Sequence, residues 1–208
     1  MIASGDLRNV VKTIAQLPES FARRLQVTLN DREFHVVARN AILLIFSLTA
    51  LEEMTAKIPD GPSRVESLIH LWYSASLPSD IIHQLTSRVK PLFADVCRQI
   101  STGAAEAAGT TVERTWFFSC GKSLRLALRK EDWFRLEALC DIPPDLTHQK
   151  ARDIRTAITI APERRDFRDR WYFKDCTPST RMSKQKFHED GLLVPFGHKR
   201  MGFDVPNP

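Results

Sequence analysis

The sequence predicts an α/β chain with a small, mostly parallel sheet, several packing helices and an extended basic C-terminal tail. Three observations carry this. A glycine turn, Ser4-Gly5-Asp6, joins the short apolar run Met1-Ile2-Ala3 to a helical stretch; the alternating run Leu25-Gln26-Val27-Thr28-Leu29 is closed by Asn30-Asp31; and a long segment, apolar nearly all round, begins at Phe34. Strand, glycine turn, helix, strand and acidic residue is the layout that a βαβ unit presents to a nucleotide-type ligand.

The elements follow in order. Val10, Val11, Ile14 and Leu17 recur at helical spacing, and Pro18 stops that helix. Leu25 to Leu29 reads as the second strand. Phe34 to about Met54 reads as a buried helix lying against the sheet, because a helix apolar on every side belongs in a core. Pro59 to Ser63 is a loop, and Ser63 with Glu66 forms a capping box for a helix carrying Leu68, Ile69, Leu71 and Trp72. Pro78-Ser79-Asp80 opens another helix, with Ile81, Ile82, Leu85, Val89, Leu92, Phe93 and Val96 as its apolar stripe.

Ser101 to Thr111 is small and polar, hence a surface loop. Trp116-Phe117-Phe118 is strand-like, whereas Leu124, Leu126 and Leu128 alternate among good helix formers and fit either state. Glu131 to Leu139 reads as helix, with Trp133, Leu136 and Leu139 inward. Thr147 caps a helix to about Ile160, and Pro162 to Arg170 forms a second, charge-laced one. Beyond Tyr172 periodicity fades and an extended tail is expected. Residues 1–160 are read as the domain and 161–208 as a basic extension that packs on it or is partly ordered.

Composition narrows the class. Hydrophobic content of 43% and charged content of 26% are globular values. The longest apolar run, Asn40 to Leu51, falls short of the about 20 residues a membrane span needs, and no signal peptide is visible. The expectation is an intracellular, cytoplasmic protein without a membrane partner. Cys97, Cys120, Cys140 and Cys176 are widely spaced, without C-x-x-C pairs or nearby His at zinc spacing, so they read as reduced thiols and no metal is expected. The net charge of +5 lies in residues 149–208, which hold 13 basic against 8 acidic side chains.

Gly5 suits a turn that a ligand approaches closely, since backbone N–H groups at the first helix N-terminus face it. Asp6 disfavours phosphate there. A carboxylate instead suits amino or hydroxyl groups, as in the methionine and ribose portions of S-adenosylmethionine, and Asp31 lies where an acidic side chain accepts ribose hydroxyls. Each aspartate also fits a plain helix cap, Asp6 for a helix from Leu7 and Asp31 for one from Arg32. Arg8-Asn9 and Arg39-Asn40 pair a guanidinium with an amide early in successive helices. They fit a carboxylate-binding pair or a structural network around Asp6 and Asp31.

Ser4–Ile14, Leu29–Arg32, Val37–Leu44 and Ile69–Ser74 together resemble a fungal domain of unknown function. That domain often accompanies MYND-type zinc fingers and is similar to the N-terminal region of dynein axonemal assembly factor three. Asp153–Ala157, Asp166–Arg170 and Glu189–Gly197 also look like the fungal form. The resemblance implies a divergent Rossmann-like, methyltransferase-like fold, with more residues before Gly5 in longer relatives than the four present here.

Other clusters admit two explanations each. His70 and Tyr73 share a helix face and suit a pocket wall with a general base, or a core helix with a hydrogen-bonded His. Arg164, Arg165, Arg168, Arg170 and Lys174 interleave with Phe167, Trp171, Tyr172 and Phe173, as nucleic-acid surfaces do, but Asp166 and Asp169 also explain the arginines as ion pairs. His188-Glu189-Asp190 is a dense titratable cluster before Gly191, where a turn suffices. Hydrolase and NTPase motifs are absent.

The expectation is a protein-interaction or assembly module on a methyltransferase-like scaffold, with a protein partner. Its alternatives are an S-adenosylmethionine-dependent methyltransferase and, less favoured, a nucleic-acid binder using the tail. No cofactor is established, and S-adenosylmethionine is the candidate. Gly5, Asp6, Arg8, Asn9, Asp31 and Asn40 are its candidate binding residues; no catalytic residue is assigned.

Overall fold

The computed structural model describes residues 5–52, 63–103, 109–159 and 176–208, with Glu163, Asp166, Arg170 and Lys174 between the last two stretches. It is a mixed helix and strand structure. Helix α1 spans Arg8–Ala15, and α2 spans Phe34–Glu52. Leu7 and Val10 bury against Leu43 of α2, with Leu29, Leu44 and Trp72 around them. Along α2, Ala38, Ala41, Leu43, Ile45 and Phe46 are all buried. That spread is what an apolar circumference predicts. The covering layers are mostly helical, however: α2 packs on α3 and on the turn around Leu85, and touches one strand. Met54, expected near its end, lies outside the described residues.

Helix α3, Arg64–Tyr73, opens on the capping box the sequence predicts: Glu66 N donates to Ser63 Oγ at 3.2 Å, and Ser63 N donates to Glu66 Oε2 at 2.7 Å. After strand β1, Ser76–Leu77, comes the long helix expected from Pro78. It consists of α4 (Ser79–Gln84), a π-helical turn (Leu85–Val89) and α5 (Lys90–Thr102). Pro91 explains the wide turn. Inside an α-helix its ring would clash with the carbonyl four residues back, at Ser87, and widening relieves that. The hydroxyls of Thr86 and Ser87 then donate to Ile82 O (3.0 Å) and His83 O (2.6 Å) around the widened turn.

Strand β2, Thr111–Phe118, and strand β3, Lys122–Arg129, form an antiparallel hairpin with Trp116 opposite Leu124. The ambiguous leucines are therefore strand. Tertiary pairing decides them, because Leu128 joins Trp116 and Phe118 in covering the core. Helix α6, Lys130–Ala138, delivers the fully buried Trp133. Its ring meets Phe93 and Trp116 at centroid distances of 6.5 and 6.0 Å, and its Nε1 donates to Val112 O at 3.1 Å.

The expected small, mostly parallel, Rossmann-like sheet is not what the described residues form. They contain two two-stranded sheets, β1 with β4 and β2 with β3, both antiparallel. The run Leu25–Leu29 joins neither. Leu29 packs on the α1–α2 cluster, but Leu25 and Val27 stay almost half exposed and the run makes no ladder. Met1–Ala3, its expected partner strand, lies outside the described residues.

Helix α7, His148–Thr159, starts as expected, with Lys150 N donating to Thr147 Oγ1 at 3.2 Å. Most of the expected helix from Pro162 to Arg170 lies outside the described residues. The tail departs from expectation. Pro178–Asp190 is a helix, α8, capped by the Thr177 hydroxyl and ended by Gly191 at φ 73°. Those signals, Thr then Pro at the start and Gly at the end, outweigh the weak apolar periodicity. A Cβ on Gly191 would lie 2.7 Å from Ala75 Cβ, so that position requires glycine for both conformation and space.

Beyond α8 the chain returns to α3 and β1. Ala75 N donates to Gly191 O, Asn207 N to Ala75 O, and β4 (Val205–Pro206) pairs with β1. His70 sits in this seam, with Nδ1 3.1 Å from Ser74 Oγ and its ring edge-on to Phe203. Burial holds its pKa below the ordinary 6.5, against the opposing pull of Glu66. Between its folded and unfolded pKa values the unfolded chain binds more protons, so this histidine costs stability as pH falls below 6.5. Wild type should therefore lose more stability than His70→Gln between about pH 7.5 and about pH 5.5 in chemical denaturation. Parallel pH profiles would refute this.

Candidate functional site

The turn before α1 is built from backbone and three side chains. Gly5 takes φ 58°, and nothing lies within 4 Å of where its Cβ would be, so the glycine is there for conformation. Its N–H donates to Asp31 Oδ2 at 2.9 Å, and its carbonyl accepts from Asn40 Nδ2 at 2.8 Å. The other Asp31 oxygen accepts Glu33 N at 3.1 Å, just before α2 begins. Asp31 thus ties the first turn to the second helix.

These bonds tune the carboxylate. The amides of Glu33, first, and Gly5 hold the Asp31 pKa below the ordinary carboxylate value. Asp6 Oδ1 accepts Arg8 N, the first amide of α1, at 2.8 Å and also meets Arg8 Nε at 3.0 Å. Arg39 reaches Asp6 Oδ2 at 3.7 Å. Asn40 is 4% exposed, and its Oδ1 is buried without a hydrogen-bond partner.

Five of the six residues expected to hold a cofactor, Gly5, Asp6, Arg8, Asp31 and Asn40, therefore meet in one network, joined by Arg39. Asn9 enters α1 as an exposed residue, and its carbonyl accepts the Thr13 hydroxyl at 2.7 Å. Each aspartate accepts the amide two residues on, in the turn that precedes a helix. Whether they also serve a ligand depends on what competes for oxygens that already accept amides.

The remaining clusters separate. His70 is the hydrogen-bonded histidine of the tail seam, while Trp72 and Tyr73 stack at 5.3 Å with rings 7° from parallel. Burial raises the Tyr73 pKa above 10.0. His188-Glu189-Asp190 ends α8, where Asp190 binds Arg200 Nε at 2.7 Å and Nη2 at 2.6 Å. Among the described residues no group of three His, Cys, Asp or Glu side chains is placed to hold a metal ion. Cys97 and Cys140 are buried free thiols, each with its pKa pushed up to about 12 by burial. Of the basic and aromatic run from Arg164 to Lys174, most lies outside the described residues.

The sequence pattern singles out none of the residues around a second place, a cavity of about 480 Å³ lined by Thr49, Arg88, Leu92 and the β2 residues Arg114 to Phe118. One signal was present. Arg114 stands between Val112 and Trp116 on the inward register of β2.

Among known proteins, the family model described as Domain of unknown function (DUF4470) matches residues 1–77, which take in α1, α2, α3 and β1. No curated protein and no solved structure matches the chain. Among the described residues no helix is long and apolar enough to cross a membrane.

Asn40 is the member of the network whose removal is most informative. Asn40→Ala loses the bond to Gly5 O but also removes an orphan oxygen, so the expected destabilisation is modest, about 1 kcal/mol by denaturant unfolding. A loss above about 3 kcal/mol would show that the amide oxygen has a partner after all.

Proposed function

We propose that this chain is a protein-interaction or assembly module, and that its partner strand docks along residues 22–29. The observation that carries this is the unpaired run itself. Residues 22–29 make no hydrogen bond among the described residues, residues 24–31 neither turn nor bend, and residues 22–28 are exposed throughout. Such a segment offers a row of free N–H and C=O groups to another strand. Val11, Ile14, Phe21, Leu25 and Val27, all more than one-third exposed, add apolar area to the same part of the chain.

The sequence Arg23-Arg24-Leu25-Gln26-Val27-Thr28-Leu29-Asn30-Asp31 suits a second copy of itself. Antiparallel pairing about Val27 sets Leu25 against Leu29, Val27 against Val27, Gln26 against Thr28, and Arg23 against Asp31. Apolar pairs share one face, and opposite charges meet at both ends. In this reading residues 1–160 form the scaffold and 161–208 the extension. The buried free thiols support a reducing, intracellular setting.

Sedimentation across a concentration series tests it. Wild type should form a dimer that dissociates on dilution, and Val27→Lys, which sets two ammonium groups face to face, should weaken it by about tenfold or more. A wild type that stays monomeric, or a variant that dimerises equally, would refute strand pairing.

Methyl transfer from S-adenosylmethionine is the second reading, favoured by the unpartnered Asn40 Oδ1 beside the Gly5 turn. It predicts a thermal shift with S-adenosylmethionine that Asn40→Ala abolishes. No shift at millimolar ligand removes it.

A further inference from the structure

We infer that the cavity between α2, the π-helical turn and β2 binds a small organic oxyanion, a carboxylate or phosphate group carried on an apolar ring. Its volume, about 480 Å³, is that of a small-molecule site. The inference rests on charge in the wrong place. Val112, Arg114, Trp116 and Phe118 form one face of β2, and Trp116 and Phe118 are buried in the core. Alternation sets an apolar residue at position 114, yet a guanidinium stands there.

Arg114 Nε is buried and donates to nothing, and no carboxylate pairs with Arg114 among the described residues. Arg114 is half-buried, and a guanidinium partly withdrawn from water with one N–H unpaired gains by binding an anion. Leu126, its neighbour across the hairpin, offers no acceptor side chain. The ion pair of this hairpin, Arg125 with Glu113 at 3.6 Å, joins the neighbouring register positions.

The rest of the lining is consistent with such a ligand. Arg88 lines the cavity from the π-helical turn, whose widened backbone is the local consequence of Pro91. Thr49 and Thr115 supply hydroxyl groups, while Leu92, Trp116, Phe117 and Phe118 supply the apolar wall. Among the described lining residues there is no Asp or Glu. Residues of both faces of β2 line the cavity, which places it along the strand's edge, and β2 pairs with β3 alone among the described strands. Amides on an open edge are further donors to an anion. Phe117, 81% exposed, stands at the lip, where a ring can stack.

Calorimetric titration with phenyl phosphate, benzoate and inorganic phosphate tests this, with tryptophan emission as a second readout because Trp116 lines the cavity. At least one of the two organic anions should bind saturably and better than inorganic phosphate, and which one prevails separates phosphate from carboxylate recognition. Arg114→Leu should weaken that binding by about tenfold or more, and Arg125→Leu should leave it unchanged. Without ligand, Arg114→Leu should melt at or above the wild-type temperature. Absence of saturable organic-anion binding, equal binding by Arg114→Leu, or inorganic phosphate binding as well as both organic probes would overturn the inference. So would a clear loss of stability in Arg114→Leu, which would mark the guanidinium as a structural support.

Discussion

The buried backbone of Ser74–Leu77 constrains the rest of the structure. These four residues are 2, 5, 8 and 0% exposed, so their peptide groups are withdrawn from water and must be paired within the protein. The Ser74 amide finds His70 O nearby, but most of the other partners come from more than a hundred residues further along. Gly191 O takes the Ala75 amide, Asn207 bonds Ala75 O, Ser74 O and Leu71 O, and β4 pairs with β1. The Ser74 hydroxyl accepts Leu193 N, and Ser76 Oγ meets His148 Nδ1 at 2.9 Å. The C-terminal stretch is thus required by the first half of the chain. Arg200, on Asp190 and the carbonyls of Leu192 and Val194, fixes the path between.

What the sequence made legible was local. Ser63 with Glu66, Thr147, Pro78 and the apolar stripe from Ile81 to Val96 each act through neighbours within a few residues, and each stands where expected. The tail helix was equally local in its signals, Thr177-Pro178 and Gly191, but its composition hid them. What was not legible depended on partners far away. Leu25–Leu29 has the alternation of a strand, but a strand is defined by a ladder, and none forms with the described residues. Leu124–Leu128 has the same alternation among helix formers, and became strand because Val112, Arg114 and Trp116 stand opposite its leucines.

The site was legible in the same uneven way. Gly5, Asp6 and Asp31 announce themselves through spacing, and the structure joins Gly5 to Asp31 and Asn40 through bonds that span 26 and 35 residues. Arg114 announces itself only through register, because an arginine between Val112 and Trp116 is ordinary until the strand's inward face is known. Distant geometry turns it from a surface cation into a half-buried one whose Nε has no acceptor.

The two polar places differ in how they meet their own demands. At the N-terminal turn, Asp31, Asn40 and Asp6 satisfy backbone groups of Gly5, Glu33 and Arg8, leaving one neutral amide oxygen orphaned. Such a network stabilises a turn, and a ligand entering it must displace bonds already made. Along β2 the demand left open is the Nε–H of a half-buried guanidinium. The family match covers the whole of the first place but, of the cavity lining, only Thr49. The unpaired Arg114 Nε thus lies beyond the matched span, and the N-terminal turn lies within it.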